Sequence, residues 1–413
     1  MAKQIKKRKR PSKKMCNWKF GTINVLTASD DFYLSECLRQ CTRANLDFCC
    51  FQEFRRLGKD SISIPITVDN KTSVWDIYWS GYKKKRQAGV AIAIRRSKNV
   101  KIIDFEQVSP RLIWIDCLFN GLKLKIVSAY APTEDAKDSA KDSFYQTLRH
   151  HCKVGKKQQL LLGADMNATA NFGKSFMGGK SCSIASANKN GTRFYEFLNL
   201  KEYALLNTWF QHKSVHKHTW YSNTGNCSKT IDYIAQSRWL MQYCIDCRVR
   251  TSFTFNNSDH RLLVCRMRTP MKKKHFNRFV KTTPKPKFDL NFLKDEYIKS
   301  NFVNKVDELC ASIESENVTV NECSNLVNIL ERAAEQSLPN IVKTVEAHMW
   351  DKDNVLIELL KRRDTINRTQ NETEFLNLSK QIRKRFDQLR NIYYQGMADQ
   401  ISEAHEAKNL ENV

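Results

Sequence analysis

The sequence predicts an α/β (α+β) fold of two packed sheets with helices outside them, followed by a separate helical segment. Three observations point there. About a dozen short runs rich in Val, Ile and aromatics, separated by polar turns, fill residues 17–269. Few stretches among them carry helical apolar spacing, which favours sheets packed together with helices on the outside. After about residue 288 the pattern changes to apolar residues every three or four positions, glycine becomes scarce and Pro339 is the only proline.

The strands are expected, in order, at 20–25, 47–51, 74–80, 89–95, 100–108, 112–118, 122–130, 160–163, 205–209, 231–235, 247–253 and 262–267. Helical spacing appears at 34–43, 140–151 and 193–203. In the C-terminal segment Val355, Leu359 and Ile366 suggest one helix, and Phe375, Leu378, Ile382, Phe386, Leu389 and Tyr393 form one apolar stripe on another. That stripe spans too few heptads for a coiled-coil assignment and reads as the core of a helix pair.

The 413 residues leave room for two or three domains, and 41% hydrophobic with 10% aromatic residues can build a core, which excludes wholesale disorder. Lys and Arg total 69 against 43 Asp and Glu, a net charge of +26. That excess implies a polyanionic partner, nucleic acid before a membrane surface. The charge is uneven. Residues 1–14 hold eight cations and 270–287 seven, both without acids, whereas 288–413 is net acidic. The expected organisation is a basic tail at 1–16, a main domain at 17–269, a basic linker at 270–287 and a helical segment at 288–413 whose partner is unknown. No apolar run approaches the ~18 residues that span a bilayer. The charged start lacks the apolar stretch of a secretory signal. The fourteen cysteines are therefore read as reduced thiols. KKRKRPSKK resembles a nuclear import signal, so a nuclear chain, or one shared between nucleus and cytoplasm, is expected, as a monomer or weak self-associate.

Polar residues gather at the expected strand ends, where a rigid scaffold displays chemistry. They are Asn24, Glu53, Tyr130, Asp165, Asn167, Asp232 and the run Ser258, Asp259, His260. Glu53, Asp165 and Asp259 are the hard oxygen donors that Mg²⁺ prefers, with Mn²⁺ as a second candidate. His260 suits a base or charge stabiliser, and Asp232 can fix its tautomer. Asn24 and Asn167 can orient water and phosphate oxygens without adding negative charge, and Tyr130 can donate a phenolic hydrogen bond. Together these are parts for metal-assisted phosphodiester hydrolysis. Lys83, Lys84, Lys85 and Arg86, between two strands, suit contact with DNA phosphates, and Trp220 suits base stacking.

In this order TINV, FQE, SAYAPT, LLLGADMN, TWYS, TIDYI and NNSDHRLL resemble the endonuclease/exonuclease/phosphatase superfamily. The resemblance implies a four-layer sandwich of two mixed sheets between helices and Mg²⁺-dependent cleavage of phosphate esters. It makes Glu53 a metal-binding glutamate, Asp165 and Asn167 the pair that aligns the nucleophile, and Tyr130 a phosphate contact. Asp232 and His260 become an Asp–His pair, and Asp259 the acid beside that histidine. NGTRFYEFLNLKEYALLNTWF, HTWYS, TIDYIAQS and SDHRLLV are similar to LINE-type non-LTR retrotransposon endonuclease domains and to the craniofacial development protein 2 group. The C-terminal stretch with PKFDL, MWD and LLKRRD resembles the connector before a retrotransposon reverse transcriptase. Thr230 stands where Arg or Gln is common. The resemblance implies a DNA endonuclease leaving a 3′-hydroxyl end. Two other readings stand beside it, a phosphatase on inositol phosphates or lipids and a non-catalytic nuclear DNA-binding or scaffold protein.

Overall fold

The computed structural model describes residues 15–271 except 70, 98, 156, 173–177, 180–185, 223–226, 254 and 256–257, and then 293, 296–314, 329–330, 332–334, 337, 353–366 and 371–410. The basic segments 1–14 and 272–287 lie outside the described residues. The chain forms two compact units, residues 1–277 with 345–413, and residues 278–344. In the second unit, helix α4 (Glu296–Glu314) carries local Lys299–Glu296 and Lys305–Glu308 ion pairs. Among the described residues, no helix is long and apolar enough to cross a membrane.

The first unit opens with β1 (Met15–Asn24), α1 (Asp31–Arg43), β2 (Phe48–Gln52), β3 (Lys59–Val68), β4 (Lys71–Ser80) and β5 (Val90–Arg95). It continues with β6 (Val100–Ser109), β7 (Leu112–Phe119), β8 (Leu122–Tyr130), α2 (Asp138–His151), β9 (Gln158–Asp165), α3 (Lys189–Lys201) and β10 (Tyr203–Leu205). After the short hairpin β11 (Trp220–Tyr221) and β12 (Ser228–Lys229) come β13 (Asp232–Ser237), β14 (Cys244–Arg250) and β15 (Leu262–Pro270). Two C-terminal helices follow, α5 (Asn354–Thr365) and α6 (Glu372–Leu410).

One sheet has seven strands in the order β14-β15-β1-β2-β5-β4-β3, and the other has six in the order β10-β13-β9-β8-β7-β6. Each is mixed, with one parallel pair, β1 with β2 and β8 with β9. Strand alternation sends one set of side chains between the sheets and the other outward. Between the sheets, Trp18, Phe48 and Phe119 meet edge to face at 5.1–5.9 Å. The outer face of the six-stranded sheet packs under α2 and α3 through Phe144, Leu148, Phe194 and Phe197. The outer face of the seven-stranded sheet packs under α1, whose Leu34, Cys37, Leu38 and Cys41 keep helical spacing. Helix, sheet, sheet, helix is the expected layering. Asp30 caps α1 by accepting the Tyr33 N–H at 2.9 Å, and Arg43 sits in its last turn, where the helix dipole favours a cation.

The two sheets pack tightly against each other at Gly163. A Cβ there would lie 2.9 Å from both the Thr22 and the Cys50 Cβ. Gly163→Ala is therefore expected to destabilise the fold by about 1–3 kcal/mol through overpacking, measured by urea denaturation.

Two expectations need correction. β3 was absent from the expected strands because Pro65 interrupts its run of isoleucines. Proline has no N–H for a ladder, yet β3 is the edge strand of its sheet, where proline is tolerated. The strand expected at 205–209 ends at Leu205. Leu206–Thr208 form a 3₁₀ turn, and Trp209 is 41% exposed. Both C-terminal helices expected from apolar spacing form.

Helices α5 and α6 pack on α1. Phe32 of α1 stacks on Phe386 with ring centroids 3.5 Å apart, and Leu356, Ile382 and Leu389 complete the cluster. Beside it Glu36 is ion-paired with Arg363 and with Arg39, and Asp364 with Arg39 at 2.6 Å and Arg43 at 2.9 Å.

Candidate active site

The strand registers bring the polar strand ends together. Asn24 pairs with Gln52 across the parallel β1 and β2, so Glu53 leaves the sheet beside Asn24. In the other sheet Tyr130 and Asp232 are both register partners of Asp165. Just past these ends the backbone turns left-handed at Leu26, Glu53, Arg55 and Asn167, with φ of 46–60°. Non-glycine residues hold such angles at about 1–3 kcal/mol each, and these strains cluster at functional sites. At Asn167 the turn is supported locally, because Asp165 Oδ1 accepts the Asn167 N–H at 3.0 Å.

One hydrogen-bonded set results. The Asn24 amide donates to Glu53 Oε1 and to Asp165 Oδ2, both at 3.0 Å, and so ties the two sheets' carboxylates together. Asn24 is itself fixed, since its side-chain oxygen accepts the Leu26 N–H and its carbonyl accepts Ser258 Oγ. Tyr130 Oη donates to Glu53 Oε1 at 3.0 Å. His260 Nδ1 lies 2.8 Å from Asp232 Oδ2, while its Nε2 lies 3.9 Å from Asp165 Oδ2 and 4.0 Å from Asp259 Oδ1. Trp220 Nε1 donates to Asp259 Oδ2 at 2.7 Å. The Asn167 side-chain amide donates to the Ala131 carbonyl at 3.1 Å.

Burial differentiates the members. Asp165, Asp232 and His260 side chains are at most 6% exposed, whereas those of Glu53 and Asp259 are 18% and 29% exposed. Burial pushes the Asp165 carboxyl up, and the Asp232 charge adds to it; His260 and the Asn24 bond oppose, leaving it at about 7. For His260, burial works against the charged ring. The Asp232 charge and bond, with Asp165 and Asp259, outweigh it and raise the ring to about 9. Burial also works to raise Glu53, but the bonds from Asn24, Arg55 and Tyr130 hold it below the usual carboxylate range. Burial and the nearby Glu53 and Asp165 charges keep the Tyr130 phenol well above its ordinary value, so it stays a donor.

Asp165, Asp232 and His260 place ligand atoms within 4.8 Å of one another, a set that could hold a metal ion. Two of those atoms are already paired across the His260–Asp232 bond. Glu53 and Asp259 are the more open carboxylates, but Asp165 reaches Glu53 through the Asn24 amide and Asp259 only across His260 Nε2. The expected metal set Glu53, Asp165 and Asp259 is therefore not the group that comes within 4.8 Å among the described residues. All three are nevertheless hard oxygen donors of the kind a divalent cation prefers.

All of Asn24, Glu53, Tyr130, Asp165, Asn167, Asp232, Asp259 and His260 therefore meet at one end of the two sheets. Lys83, Lys84, Lys85 and Arg86 lie exposed on the β4–β5 loop. That loop leaves the sheet at Ser80 and Val90, which align with Gln52, so it is at the same end as Glu53. Trp220 is half-buried and holds Asp259. Sequence reasoning missed Arg55, whose guanidinium donates to Glu53 Oε2. A cation two residues beyond the candidate carboxylate in FQEFRR was the available signal. It also missed Arg111, which donates to the Tyr130 and Ala131 carbonyls and lies over the Tyr130 ring; nothing nearby in the sequence marks it.

No protein-family model matches the chain. It is 28% identical over 264 residues to craniofacial development protein 2 of Bos taurus, covering 61% of this chain and 41% of that protein. The Tragulus javanicus protein of the same name is 26% identical over 264 residues, covering 61% and 42%. The chain thus spans about two-fifths of the length of these curated relatives. Among solved structures, the endonuclease domain of TRAS1, a telomere-specific non-LTR retrotransposon, matches 62% of this chain and all of that one, with TM-score 0.44 and 14% identity. The AP endonuclease LMAP from Leishmania major matches 63% of this chain and 90% of that one, with TM-score 0.43 and 14% identity. The chain has craniofacial development protein 2 among its curated relatives, one of the groups its motifs resemble.

Proposed function

We propose that this chain is a Mg²⁺-dependent DNA endonuclease of the retrotransposon type, hydrolysing a phosphodiester bond to leave a 3′-hydroxyl end. The observation that carries the reading is the Asn24 amide joining Glu53 to Asp165, with the His260–Asp232 pair 3.9 Å from Asp165. A divalent cation held by Glu53, with Asp165 and Asp259 beside it, would supply Lewis acidity toward a phosphoryl oxygen.

The chain's own groups account for the rest. Asp165, held above the usual carboxylate range by its burial, is placed to accept a proton from an attacking water. Asn24 and the Asn167 N–H fix that carboxylate in one orientation. Asp232 holds the His260 ring by Nδ1, which turns Nε2 toward Asp165 and Asp259 as a protonated donor. A cationic donor aimed at the reacting end stabilises charge that develops on phosphoryl oxygens. Tyr130 and Arg55 keep Glu53 ionised and in place.

Supercoiled plasmid is the test substrate. Open circles should accumulate with Mg²⁺ and not with EDTA, and the nicked ends should prime a DNA polymerase directly. Plasmid bound but left intact with every divalent metal would overturn the reading. So would phosphate release from a soluble inositol phosphate without nicking.

A further inference from the structure

The outer face of the seven-stranded sheet carries a second concentration of positive charge, running from near the candidate active site toward the far end of the sheet. Lys19 of β1 pairs with Arg266 of β15, and Arg266 with Asp246 of β14. One step further from the site end, Asn17 pairs with Arg268. Paired residues point to the same face, and Arg248 and Arg250 follow Asp246 at the two-residue strand period. Arg266 and Arg268 are exposed, while Lys19, Arg248 and Arg250 are half-buried.

Acidic compensation on this face is incomplete. Asp246 is shared among Arg248 at 2.9 Å, Arg266 at 3.6 Å and His212 at 2.8 Å. Asp47 accepts the Lys19 N–H at 2.9 Å and pairs with Arg95 at 2.7 Å. The cations press on one another. Burial lowers the Lys19 ammonium, and Arg250 and Arg266 lower it further. Burial lowers Arg250, and Arg248 adds to it. Like charges crowded on a folded surface favour a polyanion that supplies the missing counter-charge. The end of the sheet nearest them points the same way: Met15 and Pro270 are register partners there, and the sequence's two acid-free basic runs attach just beyond them.

We propose that the face formed by Lys19, Arg248, Arg250, Arg266 and Arg268 is a second binding surface for the phosphate backbone of duplex DNA, separate from the cleft at Asn24, Glu53 and His260. Lys19 stands five residues before Asn24 on β1, roughly 17 Å along the strand, and the row of Arg268 lies roughly 23 Å away, whereas Arg248 is level with Gly21 and Arg250 pairs with Leu262 nearer the site end. The surface therefore runs along the outer face from near the site end to Arg268, and its far end anchors duplex beyond the bond being cut. The inference rests on the reading above only for the choice of duplex DNA as the polyanion.

The test is binding of a fluorescein-labelled duplex, in EDTA, by the full chain and by a variant carrying Arg248→Gln, Arg250→Gln, Arg266→Gln and Arg268→Gln. Each phosphate contact contributes about 0.9 to the slope of log affinity against log salt, so the variant's slope should be shallower by about 3–4. Its affinity at low salt should fall about 10–100-fold. Because Arg248 and Arg250 are half-buried, a second variant, Arg266→Glu with Arg268→Glu, tests the two exposed positions alone and should also weaken binding. Nicking at saturating plasmid should stay within about twofold in the second variant, since Arg266 and Arg268 lie in the rows of Lys19 and Asn17, away from the cleft. Unchanged affinity and slope in folded variants would overturn the proposal. So would loss of binding to phosphatidylserine vesicles with duplex binding retained. A wild-type chain that binds DNA through these arginines but never nicks it would leave this surface standing and remove the endonuclease reading.

Discussion

His260→Ala should reduce Mg²⁺-dependent plasmid nicking by about 10²–10⁴-fold, the range seen when a positioned acid–base group is removed. The ring is nearly buried, carries positive charge up to about pH 9, and reaches two carboxylates through Nε2. Its loss removes the one cationic donor that Asp232 orients. Asp165→Asn should fall in the same range for a different reason, because its single amide oxygen can accept from only one of Asn24 and the Asn167 N–H and cannot take up a proton. The double variant should lose little more than the worse single one, as groups acting on one step are strongly non-additive. Initial nicking rates with Mg²⁺, for four proteins at equal concentration, check this. Rates within threefold of wild type in either single variant would sink the assignment.

The largest expected effect on stability lies elsewhere, at Arg363. Its guanidinium and the Glu36 carboxylate are each 4% exposed, and they join α5 to α1. Arg363→Ala leaves that carboxylate buried with Arg39 and Gln40 as its remaining partners. Breaking a buried pair by removing one member costs about 3–5 kcal/mol, and the remaining partners place this case near the lower end. Urea denaturation of the full chain measures it. The pH dependence has a definite sign. Burial works to raise the Glu36 carboxyl, yet Arg39 and Arg363 hold it down at about 2. A carboxyl depressed by folding contributes stability that is complete above its unfolded value, near 4.5, and is lost as pH falls toward 2. The gap between wild type and Arg363→Ala should therefore narrow across that window and stay constant above it. A gap that is constant down to pH 2 would rule out this account.

Much of the site was legible in the sequence because strand-end chemistry is local. Asn24, Glu53, Tyr130, Asp165, Asn167, Asp232 and His260 each sit at or next to the end of an apolar run, and register then aligns them. What joins them was not legible. The Asn24 bond to Asp165 spans 141 residues, and only the packing of one sheet on the other creates it. The docking of the C-terminal helices was hidden for the same reason. The apolar stripe from Phe375 to Leu389 announced a helix with one buried side, but Glu36 and Arg363 are 327 positions apart and neither is apolar. Arg55 was overlooked because an arginine in a basic chain of 69 Lys and Arg carries little information by itself.

Pro65 has a further consequence. It lies within β3, at the outer margin of the seven-stranded sheet, and faces Val74 of β4. Because Pro65 has no amide hydrogen, a chain pairing along that margin would meet a gap in its ladder there. A proline at the margin of a seven-stranded sheet thus disfavours the growth of an eighth strand from a neighbouring molecule.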